Sequence, residues 1–547
     1  MALDHEPSTF IPRTVMDYYS ATVLNQITEG LVGLDSKTLK ITPKIAVKWM
    51  QNNEGTKYTF TIRDNVLFHP HNIFSSKKER LLTTADIVKS FEMACTLSPD
   101  QTTTAAYSYV FKDNVKGAKE FLEGNAKTIR GIKVKGNELT LELIHKDHNF
   151  LNKLSYTSVA IVSKKIIESA HEDDVIGTGP FMYTKSDPRN TSSLILIKNT
   201  DYYLEDQTGT PLPYLDSLTF VFQEDKEKQV DLFENGELDL IIGLPTSKIT
   251  QMVEGRIEDF NTKPPTLILE NNPLLESHFY YFNMEDERFK NPLVRKAFNY
   301  AIDKTIIGKT ILRNQHYDMG FYGVVPPVSK ALRGYDFESV KETGYSYNPK
   351  KARKLLAQAG YPNGEKFGPV TLRHRINDRH SALADELSKQ LFQVLGVTVT
   401  ITGSSFDQLT QDGASGIGTI FQMGWSADYA SPESFLMNFY GGFIPTDSAE
   451  QSFINKSRYR NHLFDKFFEQ AKESKKVSEQ MLMFSKAETE LMKNPPIIPL
   501  WYSGDIDIMQ SYVRNFTFNA LNYFDFTSVY IKKWTPEEYD IYTKTND

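Results

Sequence analysis

Asp428 carries the most suggestive chemistry in the chain. It stands in the stretch Gly424-Trp425-Ser426-Ala427-Asp428-Tyr429, which runs into Ala430-Ser431-Pro432-Glu433-Ser434-Phe435. Side chains alternate along an extended segment, so Gly424, Ser426 and Asp428 share one edge, where backbone groups can pair with an incoming extended chain. A carboxylate at the end of that row could hold the α-ammonium of a peptide through a charge-assisted hydrogen bond. The same residues also read as a turn, because Asp in an Asp-Tyr-x-Ser-Pro run commonly bends the chain or caps a helix. Both readings stand on these residues alone, and Trp425 is counted with the candidate ligand contacts.

A second concentration of chemistry is cationic. A strand over 371–376 carries Arg373, His374 and Arg375, and a helix from about Ser381 to Leu395 follows, with Arg379 and His380 just before it. Arginine recognises carboxylates bidentately, so Arg375, Arg379 and His380 are candidates for an anionic ligand group; the alternative is a solvated strand end. Tyr18 and Tyr19 fall on a loop before a short helix ending near Glu29-Gly30-Leu31-Val32, where they either face a ligand or cover a core edge.

Other patterns fail on their own spacing. Gly308-Lys309-Thr310 resembles the end of a phosphate-binding loop, but Asp303 stands where its first glycine belongs. Gly413-Ala414-Ser415-Gly416 approaches a nucleophile elbow, but Ile417 replaces the closing glycine. Gly177-Thr178-Gly179-Pro180-Phe181 reads as a turn feeding a strand rather than a phosphate site, since no helix pattern follows it. His69-Pro70-His71 offers two imidazoles without further ligands, so no metal and no cofactor is expected. Carboxylates are plentiful enough to hide a glycosidase pair, which keeps a hydrolase among the alternatives.

The elements that must position these residues follow from length and pattern. A chain of 547 residues exceeds what one core supports, so two or three domains are expected. Net charge is −7 with no basic stripe, which excludes nucleic acid as a partner. The one cysteine, Cys95, rules out an internal disulfide and a cysteine-rich zinc site. Residues 1–6 lack the basic and apolar regions of a secretory signal, which reads as a cytosolic protein or one whose signal has been removed. No apolar run approaches the roughly 20 residues that span a bilayer.

Tyr58, Phe60 and Ile62 alternate with Thr59, Thr61 and Arg63 in a half-buried strand, Thr83 and Asp86 cap a helix, and Leu139, Leu141 and Leu143 mark a second strand. Strands near 194–197, 218–222 and 238–242 alternate with a helix around 226–235. Asn291-Pro292 and Asn348-Pro349 each open a helix, the second stopping at Gly360. Helices bearing Phe467, Phe468, Met481 and Phe484 end at Pro495-Pro496, and a strand-like tail follows. Repeated α/β blocks without flexible linkers indicate a chain that crosses between domains more than once.

Several separated segments together resemble one family: Thr28-Glu29-Gly30-Leu31-Val32, 58–68 leading to Thr84-Ala85-Asp86-Ile87-Val88, Gly177 to Phe181, 291–303 with Val294-Arg295-Lys296-Ala297 and Tyr300-Ala301-Ile302-Asp303, Leu395-Gly396-Val397, and 424–435. The chain is similar over nearly its whole length to the family 5 extracellular solute-binding proteins, which include bacterial oligopeptide- and dipeptide-binding proteins. The resemblance implies an α/β fold of the periplasmic-binding-protein kind, with two lobes closing on a hinge and three domains. Domain I would be discontinuous (1–42, 175–268 and 506–547), domain II would span 43–174 and domain III 269–505, with hinges near 266–272 and 503–510.

The resemblance also implies that Asp428 holds a peptide's α-ammonium, that Gly424 and Ser426 offer backbone groups, and that Tyr18 and Tyr19 lie on the opposite lobe. Arg379 and His380 would fall among carboxylate or side-chain partners. The sequence departs from the oligopeptide-binding pattern at Gln422, where an arginine is expected, and in the insertion Ser75-Ser76-Lys77-Lys78-Glu79-Arg80. The function implied is a non-catalytic monomeric receptor, exported and either periplasmic or lipid-anchored, that delivers short peptides to the permease of an ABC importer. The alternatives are the same fold binding an oligosaccharide or metal chelate, and a hydrolase. Asp428 opposes a neutral sugar, because a buried carboxylate is costly unpaired.

Overall fold

A computed structural model describes residues 1–98, 102–169, 175–184, 192–447, 450–474 and 476–546. The chain forms two compact units, Met1–Glu270 with Ile506–Asp547, and Asn271–Asp505. It leaves the first unit inside the strand Leu267–Phe282 and returns inside the strand Ile497–Gln510. The domain boundary expected at residue 174 lies outside the described residues.

The first unit holds two four-stranded sheets. One is antiparallel throughout, ordered Ala46–Gln51, Lys57–Ile62, Glu138–Glu142, Ile132–Lys135. Tyr58, Phe60 and Ile62 point into a core shared with Phe91, Phe111 and Leu141, while Thr59 and Thr61 stay half-buried, as period-two patterning requires. The helix Thr84–Ala94 covers this core and is closed by a capping box, with Thr83 N–H and Oγ1 donating to Asp86 Oδ2 at 2.8 and 2.7 Å. Cys95 ends that helix, buried and with its thiol pushed up by burial and by Glu92. The insertion is tied to the body: Arg80 is buried, donating to Phe68 O at 2.8 Å and to Asp201 at 2.9 Å.

The other sheet runs Ala2–Leu3, Ser217–Phe222, Ser193–Lys198, Phe181–Tyr183 over a core containing Leu24, Phe220, Phe516 and Phe526. Tyr18 and Tyr19 are not on a loop but open the helix Tyr18–Ile27, because Asp17 Oδ1 accepts the Ser20 N–H at 2.8 Å and caps it. Tyr19 packs against this core and meets the His5 ring edge-on at 5.1 Å, while Tyr18 is exposed. The expected strand around 238–242 is shorter, Leu240–Ile241, and the tail ends in a helix, Pro536–Asn546.

Gly177 and Gly179 have a packing role. A Cβ at either would lie 2.0 or 2.6 Å from the backbone of Ile27, so only glycine lets the two segments meet. His69 locks the same turn from the other side. Its Nδ1 accepts the Gly177 N–H at 3.3 Å and its Nε2 donates to Gly179 O at 2.9 Å, which holds it neutral. Both nitrogens are thereby occupied, and among the described residues no group of three acidic, histidine or cysteine side chains could hold a metal.

The second unit is built on strands ordered Ile497–Gln510, Leu267–Phe282, Ile420–Ser426, Val370–Arg375, Val399–Ser404. The last three run parallel, and Leu267–Phe282 is antiparallel to Ile420–Ser426. Helices Pro292–Ala301 and Pro349–Gln358 begin as Asn-Pro caps predict, Asn291 Oδ1 accepting from Leu293 N–H at 3.0 Å and Asn348 Oδ1 from Lys351 N–H at 3.0 Å. Phe282, Phe289, Phe298 and Phe367 interlock beneath them. The helix expected from Ser381 starts three residues earlier, at Asp378, because Asn377 caps it through the His380 N–H at 2.8 Å.

Burial first, and the Arg80 charge after it, push the His69 imidazole from its ordinary 6.5 down to about 4. The folded protein therefore keeps His69 neutral where the unfolded chain takes up a proton. The unfolded state binds more protons between about pH 6.5 and 4, so stability falls as pH drops through that window, by about 3 kcal/mol. In chemical denaturation, His69→Gln is expected to be less stable than wild type at pH 7, with the gap narrowing toward pH 4. A gap independent of pH would contradict this assignment.

Candidate functional site

The stretch from Gly424 begins as an interior strand and ends as an open edge. Ile420–Ser426 pairs with Leu267–Phe282 along its length, Gly424 opposite His278 and Ser426 opposite Glu276. Ala427 N–H donates to Leu275 O at 2.8 Å, which makes that pair hydrogen-bonded. Alternation then gives Trp425 and Met423 the other bonds to that neighbour and turns the N–H and C=O groups of Gly424 and Ser426 to the opposite edge. On that edge Val370–Arg375 pairs only as far as Ile420 and Phe421. Beyond, its Arg375 N–H reaches the Gln422 side chain at 3.4 Å, and Ile376 N–H turns to Ser404 O at 3.0 Å. Gly424 and Ser426 are both exposed.

Asp428 does not continue this row. The strand ends at Ser426, and Asp428 sits exposed in a bend, its N–H donating to Ser434 Oγ at 3.1 Å ahead of the short helix Glu433–Leu436. The turn reading thus describes its backbone, while its position just past the open edge keeps it beside the shelf. Trp425 is half-buried on the other face of the strand from Gly424, with its indole N–H enclosed among protein atoms.

Beside Gly424 lies a group that patterning alone did not reveal. His278 stacks on Trp501 with centroids 4.2 Å apart and planes 12° apart. Its Nε2 lies 2.9 Å from Ser503 Oγ and 3.2 Å from Glu276 Oε1. Burial pushes the Glu276 carboxyl up, but hydrogen bonds from His278 and Ser503 and the charge of Arg379 outweigh it and leave the group below its ordinary 4.5. Glu276 and His278 lie two apart on one strand, a visible alternation, but Trp501 and Ser503 join them from more than 200 residues away.

The cationic residues separate into two kinds. Arg373 is paired with Asp412 at 2.5 Å, both largely buried, and His374 is buried with Nδ1 donating to Arg375 O at 2.8 Å. Arg375 is exposed, its guanidinium 5.9 Å from the centre of the Phe406 ring. Arg379 is exposed and donates to Gln315 Oε1 at 3.3 Å. Arg379 and His380 stand in the first turn of the helix Asp378–Leu395 rather than before it, at the end whose dipole disfavours cations. Burial first, then His278, Arg379, Arg375 and His374, push His380 down to about 4. Arg375, Arg379, His380, Gly424, Trp425, Ser426 and Asp428 are thus all in the second unit, whereas Tyr18 and Tyr19 belong to the first.

Gly308-Lys309-Thr310 and Gly413-Ala414-Ser415 lie inside the helices Lys304–Thr310 and Phe406–Ser415, so neither makes a phosphate loop or an elbow. Among the described residues no helix is long and apolar enough to cross a membrane.

Residues 40–446 match the family model described as bacterial extracellular solute-binding proteins, family 5. The chain is 26% identical to the dipeptide-binding protein DppE of Bacillus subtilis (strain 168), over 95% of this chain and 90% of that protein. It is also 26% identical to heme-binding protein A of Haemophilus influenzae, over 96% of this chain and 90% of that one. Among solved structures it resembles HbpA2 from Haemophilus parasuis, with TM-score 0.78 and 21% identity, covering 97% of this chain and 99% of that one. DppA from Helicobacter pylori in complex with peptide STSA gives TM-score 0.74 and 24% identity, covering 97% of each chain. These structures share its α/β two-lobe fold, and the protein belongs to the family 5 bacterial extracellular solute-binding proteins.

Proposed function

We propose that the protein is a non-catalytic, exported receptor that captures short peptides and hands them to the permease of an ABC importer. The observation that carries this reading is the open strand edge at Gly424 and Ser426, which ends beside Asp428. An extended peptide satisfies the backbone groups of such an edge by adding a strand. Asp428 then receives its α-ammonium, and Arg375, Arg379 or His380 its carboxylate or an acidic side chain. Relatives named for dipeptide and oligopeptide binding support the ligand class. The family's extracellular character supports export, and relatives named as binding proteins support a receptor rather than an enzyme. The roles of Tyr18 and Tyr19 as ligand contacts rest on the resemblance alone.

Asp428→Asn should weaken binding of peptides with a free amino terminus by about 2 kcal/mol or more, since truncating one side of a desolvated charge pair costs roughly 2 to 5 kcal/mol. That is a loss of about tenfold or more by calorimetry. N-acetylated peptides should bind the wild type poorly and lose little more on mutation. Equal binding of free and acetylated peptides to the wild type would refute the anchor.

The carboxylate partner is found by titrating a peptide and its C-terminal amide against Arg375→Ala, Arg379→Ala and His380→Ala. At least one variant should lose the preference for the acid. Arg373→Ala is the contrast: it leaves Asp412 as an uncompensated buried charge, so it should cost about 3 kcal/mol of stability without erasing the preference. An unchanged preference in the first three variants would remove the proposed cluster.

A further inference from the structure

Part of the shelf is arranged to meet a side chain rather than a backbone. His278 faces Gly424 across the strand pair, and the two residues direct their side-chain positions to the same face. A carboxylate only accepts hydrogen bonds, so Nε2 carries a proton, shared between Ser503 Oγ at 2.9 Å and Glu276 Oε1 at 3.2 Å. Nδ1 is left as a lone-pair acceptor. It is enclosed and has no hydrogen-bond partner, which is costly for a polar atom without a use. The stack on Trp501 fixes the plane of the ring.

Gly424 decides what can reach that nitrogen. A Cβ at 424 would lie 3.0 Å from His278 Nδ1 and 3.2 Å from Cε1, with no other neighbour within 4 Å. The only neighbour over this exposed glycine is one edge of the imidazole, so a ligand side chain that crosses Gly424 meets the Nδ1–Cε1 edge first. A ligand strand on the open edge lies about 4.8 Å from the shelf strand, and its residue opposite Gly424 points to the face that His278 occupies. A side chain of a few atoms then crosses Gly424 and ends at Nδ1. One pair along, opposite Ser426, stands the carboxylate of Glu276. This strip of the face presents an acceptor nitrogen and an anion.

Resting on the peptide reading above, we propose that His278 is a specificity-determining residue. Its Nδ1 selects peptides whose residue seated opposite Gly424 carries a side-chain N–H donor, amide or basic, over those with an apolar or acidic side chain there. Glu276 is a positioning residue that fixes the tautomer.

The test uses the full chain and alanine-based tetrapeptides with free amino termini, carrying Gln, Lys, Leu or Glu at each position in turn. At one position Gln and Lys should bind about three- to tenfold tighter than Leu, with Glu weakest. His278→Phe keeps a ring on Trp501 but has no acceptor, so the Gln-to-Leu ratio at that position should fall to about one, whatever the change in overall affinity. In wild-type protein, the 15N resonance of His278 Nδ1 should move on adding the Gln peptide and not the Leu peptide, a readout that does not depend on the variant folding. Equal affinities for Gln and Leu at every position, a ratio that survives in His278→Phe, or an unmoved resonance would overturn the proposal while leaving peptide binding intact. If the all-alanine peptide fails to bind at all, the peptide reading falls and this one with it.

Discussion

Every backbone N–H and C=O must find a partner, and the functional reading of this protein depends on one place where the sheet stops supplying them. Ile420–Ser426 enters the second unit with strands on both sides. Val370–Arg375 keeps its register with Val399–Ser404 to the end, but parts from Ile420–Ser426 after Phe421. The backbone groups of Gly424 and Ser426 are left facing outward at the carboxyl ends of three parallel strands. In α/β sheets this is where ligands bind. An unpaired edge of this kind is a liability on a free surface and an asset in a binding site.

The charges around the edge are sorted by what holds them. Arg373 and His374 are consumed by the fold, through Asp412 and the backbone of Arg375. Arg375 and Arg379 remain exposed, and His380 is kept neutral by burial and by the cations around it. Glu276 stays ionised because His278, Ser503 and Arg379 outweigh its burial. Cationic and acceptor groups thus stand close together at this edge, the Arg379 charge acting on Glu276 and His278 on His380.

Much of the frame was legible because its signals are local. Alternation located Lys57–Ile62, Asn-Pro pairs located two helix starts, and the missing glycines at 303 and 417 removed two catalytic motifs. The errors lie where one side chain redirects the backbone. Asp17 turns the Tyr18-Tyr19 loop into a helix, Asn377 starts a helix three residues early, and Ser434 takes the Asp428 N–H and ends the extended row. The group Glu276, His278, Trp501 and Ser503 was beyond reach, because strand register joins residues that the sequence holds more than 200 positions apart. Asp428 shows why a family resemblance was needed: its backbone behaves as a turn former, and only its place beside an open edge suggests more.

Relatives named for dipeptide and for heme binding are each 26% identical to the chain, so the ligand class is what most needs a direct measurement. Mass spectrometry of the purified protein, first native and then denaturing, reads the bound molecule directly. A heterogeneous set of short peptides with free amino termini, released on denaturation, is the expected result. A single oligosaccharide, heme or metal chelate in their place would contradict peptide capture at the Gly424–Ser426 edge.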